Sequence, residues 1–127
     1  MKWRMVGAIL FAICLQSTSS YAAAKDPDCT HPDAWPSGMA FTHLKNSGVI
    51  QSGELDSAKT SVVRLASQKT GKNLYRQVHR VHFTKISGEV LIAITVNDVS
   101  TQECSMSGVD VYLVSKRLGD YRSDKSK

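Results

Sequence analysis

The run Glu89–Val96, which reads EVLIAITV, is apolar on both faces of any strand that it forms. Strands of this kind lie inside sheets that are covered on both sides, or nearly so, whereas half-solvated strands alternate apolar and polar residues. The run therefore predicts a central strand, and a central strand requires other strands on both of its edges.

Two further strands are predicted before and after this run. Leu74–Ile86 is rich in aromatic and β-branched residues, and the Ser87-Gly88 pair after it favours a tight turn. The strands Leu74–Ile86 and Glu89–Val96 should therefore be antiparallel neighbours. Val109–Lys116 alternates apolar and polar residues, and it can return through residues 97–108 to complete a meander.

A helix is predicted over Gly53–Lys69, with Ser52 as its N-cap and Gly71 as its C-terminal stop. The prediction rests on an apolar stripe at helical spacing, formed by Leu55, Ala58, Val62, Leu65 and Ala66. One helix packed on an antiparallel sheet of three to four strands is an α+β domain. The order of elements is similar to that of cystatin-like folds, but the resemblance is topological only, and no residue's role is carried over from it.

The first 24 residues predict a cleaved signal peptide. Lys2 and Arg4 precede the apolar run Met5–Leu15, and Ala22 and Ala24 supply a small-residue cleavage site. A membrane-spanning helix needs about 20 apolar residues, more than this run contains, so an uncleaved anchor is the weaker alternative. Cleavage leaves 127 − 24 = 103 residues and a charge of (16 − 2) − 11 = +3. This charge is too small to predict nucleic-acid binding.

Cysteine usage predicts one disulfide, between Cys29 and Cys104. Cys14 leaves with the signal peptide, so these two are the cysteines that remain in a periplasmic or secreted protein. A free thiol is less expected in an oxidising compartment. A metal site would need more ligands than Cys29, Asp28 and His31 supply, and no metal or cofactor is predicted.

The chain is thus expected to comprise a signal peptide (1–24), an irregular arm (25–52), an α+β core (53–119) and a polar tail (120–127). The arm contains all three prolines, and the disulfide and Trp35 should hold it down. One or two helical turns are possible within Gly38–Ile50. Their inward-facing residues would be Met39, Phe41, Leu44 and Ile50.

An enzymatic function is the alternative hypothesis. His79 or His82 would act with Asp98, Glu103 or Asp110 in a small secreted hydrolase or nuclease. The two histidines are three apart on a predicted strand, so their side chains should point to opposite faces. The sequence contains no serine elbow, glycine-rich phosphate loop or H-E-x-x-H motif, and no catalytic residue is assigned.

A non-enzymatic protein-binding module, such as an inhibitor or a toxin-immunity protein of the periplasm, is the leading hypothesis. Arg76, Arg80 and His82 share one phase of their strand and could form a basic stripe for an anionic partner, such as a nucleic acid, a phosphate group or an acidic protein surface. The alternative is a solvated face with both arginines paired to acids. Glu103 and Met106 lie in the 97–108 loop. Met106 could offer an adaptable apolar contact or could fold back over the disulfide.

Overall fold

The computed structural model describes residues 25–114. The predicted signal peptide, the end of the predicted third strand and the polar tail 120–127 lie outside this range. One helix, one short 3₁₀ turn and four strands follow in the order α1 (Trp35–Asn46), 3₁₀ turn (Ser57–Lys59), β1 (Ser61–Gly71), β2 (Leu74–Thr84), β3 (Val90–Val99) and β4 (Asp110–Val114). The strands form one antiparallel meander in the order β1-β2-β3-β4. The predicted α+β class is confirmed.

The second, third and fourth strands lie where the sequence predicts strands. β2 and β3 are joined through a tight turn in which the N–H of Gly88 donates to the carbonyl of Lys85 over 2.8 Å. Gly88 has φ +94°, a conformation that favours glycine. The turn Ser87-Gly88 therefore fixes the register of the β2–β3 hairpin, in which Val81 lies opposite Ala93.

The predicted helix over Gly53–Lys69 is wrong, because most of this segment forms β1. β1 pairs with β2, and the register shifts between Arg64 and Ala66, which leaves Leu65 as a bulge. A bulge inserts one extra residue and reverses the alternation of a strand. Apolar residues on either side of it then fall at spacings that imitate a helix. The β-branched pair Val62-Val63 favours the extended conformation, and pairing with β2 secures it.

The helix of the fold instead lies inside the segment predicted as an irregular arm. Pro36 occupies the first turn of α1, where its missing N–H costs no hydrogen bond. The Ser37 hydroxyl bonds to the carbonyls of Pro32 (2.6 Å) and Ala34 (2.9 Å), which fixes the approach to the helix. Because α1 contains Gly38 and its apolar residues are spread around the helix, its helical periodicity is weak in the sequence.

The inner face of the sheet, defined as the face that packs against α1, carries two apolar clusters. The larger cluster joins the helix to the middle of the sheet and consists of Ala40, Leu44, Ile50, Val81, Phe83 and Ala93. The smaller one surrounds the Cys29–Cys104 disulfide with Tyr75 and Val99. Of the four residues expected to face inward from Gly38–Ile50, Leu44 and Ile50 are buried, Met39 is half-buried, and Phe41 is 38 % exposed.

Candidate functional site

The histidines of β2 lie on opposite faces of the sheet, as their spacing predicts. His79 is fully buried on the inner face, and His82 lies half-buried on the other face. Within residues 25–114, both ring nitrogens of His79 and the Nε2 of His82 lack hydrogen-bond partners. His31 lies 3.7 Å from Asp33, on an exposed turn. His43 lines one pocket together with Asp110, but among the described residues no ion pair or side-chain hydrogen bond joins the two. Neither His79 nor His82 is paired with a carboxylate in this part of the chain, as a hydrolase of this design needs.

His79 belongs to a buried polar seam between the two apolar clusters. Gln77 and His79 on β2 lie opposite Asn97 and Thr95 on β3, and all four side chains are buried. The Nε2 of Gln77 donates to the carbonyl of Pro27 over 2.8 Å, which holds the N-terminal segment against the sheet. Each of the four residues also has at least one polar atom without a partner in the described part of the chain. Such atoms cost stability, so the seam is a weak layer of the core.

The buried imidazole of His79 should make stability depend on pH. Burial lowers the pKa of His79, the nearby charge of Arg64 on β1 lowers it further, and Asp28 of the N-terminal segment opposes the shift. The unfolded chain then binds a proton more readily than the folded one, and the stability present above about pH 6.5 is lost as the pH falls. We expect the free energy of unfolding, measured with urea, to decrease between about pH 6.5 and pH 5, a range above the usual pKa values of Asp and Glu.

Two variants separate His79 from the other titrating groups. His79→Leu should flatten the pH dependence in that range, whereas His43→Gln, which changes an exposed histidine of α1, should keep the dependence of the wild type. An unchanged slope in His79→Leu would contradict this assignment.

Arg76, Arg80 and His82 lie together on the outer face, defined as the sheet face opposite to α1. Arg76 donates through Nε (2.9 Å) and Nη2 (3.2 Å) to the two carboxylate oxygens of Asp98, and this pairing raises the pKa of Arg76. Arg80 is exposed and makes no ion pair or side-chain hydrogen bond with the residues described. The stripe is thus not uniformly basic, because Asp98 neutralises Arg76, whereas Arg80 has no acidic partner within residues 25–114.

The 97–108 loop is tied to the rest of the molecule at several points. Cys104 is bonded to Cys29, and the Nδ2 of Asn97 donates to the carbonyl of Cys104 over 2.8 Å. The N–H of Asp98 donates to the Oγ of Ser107 over 2.8 Å. Further bonds connect the loop to the β1–β2 turn, where Asn73 contacts Thr101 and Gln102. The loop is therefore held in one shape by its own polar groups, which gives a structural reason for its composition.

This loop carries Met106, and the residue after it, Ser107, contacts the start of the helix. Met106 is 47 % exposed, and its N–H donates to the carbonyl of Asp98 over 3.1 Å. Trp35, the first residue of α1, is 42 % exposed, and its indole Nε1–H donates to the carbonyl of Ser107 over 3.2 Å. We call Trp35 and Met106, with the exposed Glu103 of the same loop, the loop platform. The side chains of Trp35 and Met106 are partly exposed, while hydrogen bonds hold the indole N–H of Trp35 and the backbone N–H of Met106.

The structure shows that the side chain of Trp35 is partly exposed, in addition to making the kind of contact that the sequence predicts. The sequence suggests that it holds down the N-terminal segment, and its bond to Ser107 fits that expectation. The sequence does not predict that Trp35 is exposed. Its position directly before Pro36 does indicate that it lies at the start of a helix, because proline is common in the first helical turn.

Of the three acids near the loop, Asp98 and Asp110 line one pocket together with Arg76, and Asp110 also helps to raise the pKa of Arg76. Asp98 is paired with Arg76, and Glu103 accepts a hydrogen bond from the Oγ of Ser105 over 2.6 Å. Asp110 is exposed at the start of β4. Over residues 25–114, no group of three or more His, Cys, Asp or Glu side chains is arranged to hold a metal ion.

An open groove runs beside the N-terminal half of α1. Its volume is about 420 Å³, and Phe41, Leu55 and Phe83 supply its apolar walls. Pockets for small ligands combine such walls with a few convergent polar groups. Here the polar residues of the lining are Asp33, Ser37, Ser57 and Thr60, and none of the described histidines lines the groove. The groove does not point to a particular reaction.

Comparisons of the chain with protein-family models, with curated proteins and with solved structures find no match in any of the three. Among the described residues, no helix is both long and apolar enough to cross a membrane. The disulfide is compatible with an oxidising compartment outside the cytoplasm.

Proposed function

We propose that this protein is exported to the periplasm or the cell exterior and acts there as a non-enzymatic module that binds a protein partner. Blocking an enzyme or neutralising a toxin are the actions that suit such a module best. Three features support the proposal: the leader-like N-terminus, the disulfide, and the lack of a carboxylate partner for His79 and His82 among the described residues.

The observation that carries the proposal is the loop platform. Tryptophan and methionine are over-represented at the centres of protein interfaces, and tryptophan is one of the residues whose removal most often costs binding energy. The disulfide and the hydrogen bonds of the loop fix the backbone of both residues before any partner arrives. A contact surface that is already ordered loses little conformational entropy on binding. Glu103 would then provide a polar contact at the rim.

The hydrolase alternative is less well supported. It requires His79 or His82 to share a cleft with a carboxylate, yet His79 is fully enclosed. His82 lies on the same face as Asp110 and Asp98, but two and three rows away from them. Binding of polyanions by the stripe is also weakened, because the Arg76 charge is paired with Asp98.

The test begins with capture of partners from periplasmic extract by the exported wild-type protein. The Trp35→Ala/Met106→Ala double variant should lose at least about tenfold in affinity for a partner that the wild type binds, because hot-spot residues contribute about 2 kcal/mol or more. Phe41→Ala, which removes an exposed aromatic residue of the same helix away from the loop, is the matched control. Equal affinity of a folded double variant and the wild type would overturn the assignment of this surface.

A further inference from the structure

The outer face of the sheet is apolar at most positions, although no described element covers it. Its side chains form rows across the four strands. One row contains Val63, Arg80, Ile94 and Tyr112, and the row beside it contains Ser61, His82, Ile92 and Val114. The exposed fractions are 45 % for Val63, 58 % for Tyr112 and 44 % for Val114. A sheet with one face in water normally alternates apolar and polar residues, and β3 does not.

The sequence of β3 predicts that both faces of this strand are covered. Among the described residues, α1 covers the inner face and no element covers the outer face. Inward-facing Ala93 is fully buried beneath α1, whereas outward-facing Ile94 and Val96 are only half-buried. Apolar sheet faces of this kind mark interaction surfaces. The question is what occupies this one.

The charges of the face indicate its occupant. The face carries Arg76, Arg80, Asp98 and Asp110, so its net charge is zero. Arg76 and Asp98 neutralise each other. Arg80 and Asp110 make no ion pair within the described residues, and they lie on β2 and β4, on opposite sides of β3 and one row apart. An acidic partner would be repelled by Asp110, and a basic partner by Arg80.

A second copy of the same face satisfies both charges at once. The midpoint between Arg80 and Asp110 lies on β3, between Ile94 and Val96. A two-fold axis that runs parallel to the sheet over this midpoint, perpendicular to the line from Arg80 to Asp110, places Arg80 of one copy over Asp110 of the other. We therefore propose that two copies of this protein pack outer face against outer face, with Arg80 of each copy paired to Asp110 of the other. The two reciprocal pairs flank an apolar centre, as an isologous interface requires, at the spacing of about 10 Å that packed sheets adopt.

This inference does not rest on the proposed function, because Trp35 belongs to α1, which packs on the other face of the sheet. Trp35 and Met106 need not be covered in such a dimer. The dimer would carry two platforms, so a partner with two matching sites would bind with avidity.

Sedimentation velocity over a concentration series tests the proposal with the exported, disulfide-bonded protein. The wild type should dimerise, and Arg80→Glu should raise the dimer dissociation constant at least about tenfold, since it places like charges opposite each other. The double variant Arg80→Glu/Asp110→Arg should recover most of this loss because it reverses both reciprocal pairs. Lys45→Glu makes the same charge change on an exposed position of α1 and should leave the dissociation constant unchanged.

Tyr112→Glu guards against a double variant that fails to fold, since Tyr112 is 58 % exposed and lies in the row of Arg80. It should also raise the dissociation constant at least about tenfold. A wild type that stays monomeric at every concentration, or a dimer that is indifferent to Arg80→Glu and Tyr112→Glu, would overturn the proposal. A third result would also overturn it. If the wild type does not self-associate but captures another protein, and Arg80→Glu abolishes that capture, the face binds that protein. Trp35→Ala/Met106→Ala should dimerise normally, so the two proposals can fail separately.

Discussion

Replacing both Cys29 and Cys104 with alanine is expected to lower the free energy of unfolding by about 4–5 kcal/mol. The disulfide joins residues 75 positions apart, and this long loop gives the unfolded chain much of the entropy that the bond removes. For a domain of this size, the loss corresponds to a decrease of roughly 15–30 °C in Tm, measured by circular dichroism. Alanine is chosen because Cys29 is buried, and a serine hydroxyl would add a separate cost there.

The disulfide also connects stability to the proposed function. Cys104 lies in the loop that presents Met106, and Cys29 anchors the segment that leads to Trp35. Reduction of the wild type with dithiothreitol should produce the same fall in Tm as the double alanine variant, and dithiothreitol should leave that variant unaffected. A reduced protein that melts within a few degrees of the oxidised one would contradict the expected contribution of the bond.

Replacing Leu44 with alanine is expected to cost about 2–5 kcal/mol, the range for a buried leucine in a well-packed core. Leu44 is 3 % exposed and joins α1 to Val81 and Phe83 of the sheet. The matched control is Leu65→Ala, because Leu65 is 48 % exposed at the bulge of β1. This control should cost less than about 1 kcal/mol. Urea unfolding of both variants at low protein concentration measures the difference.

The Leu44 and Leu65 pair also tests the position of the helix. A helix over Gly53–Lys69 would bury Leu65 in its apolar stripe and would leave Leu44 in an irregular segment. The observed fold requires the opposite order of costs. Equal or reversed costs would contradict the packing of α1 on the sheet.

Several features of the fold follow from local sequence. The β2–β3 hairpin is encoded by the turn Ser87-Gly88 and by strands rich in β-branched and aromatic residues, and these signals act over neighbouring residues. The disulfide follows from counting, because two cysteines outside the predicted signal peptide allow one pairing. The opposite faces of His79 and His82 follow from the two-residue period of a strand.

The candidate site was predicted only in part. The sequence indicates that Met106 and Glu103 lie in a polar loop and that Arg76, Arg80 and His82 share a strand face. It does not show that Trp35 lies beside that loop, because the Trp35–Ser107 contact joins positions far apart in the chain. Nor does it show that Asp98 neutralises Arg76 and leaves Arg80 free, since cross-strand register sets those pairs.

What the sequence by itself determined is the antiparallel meander from Leu74 onward and its link to Cys29. What only the tertiary structure decided is which segment becomes the helix. The apolar spacing of residues 53–69 suits a helix about as well as a bulged strand, and the backbone hydrogen bonds that β2 offers along its free edge select the strand. Because residues 61–71 form β1, they cannot pack as a helix over the side chains of Val81 and Phe83. The segment Trp35–Asn46, whose apolar pattern is weak, forms that helix instead and covers these side chains with Ala40 and Leu44.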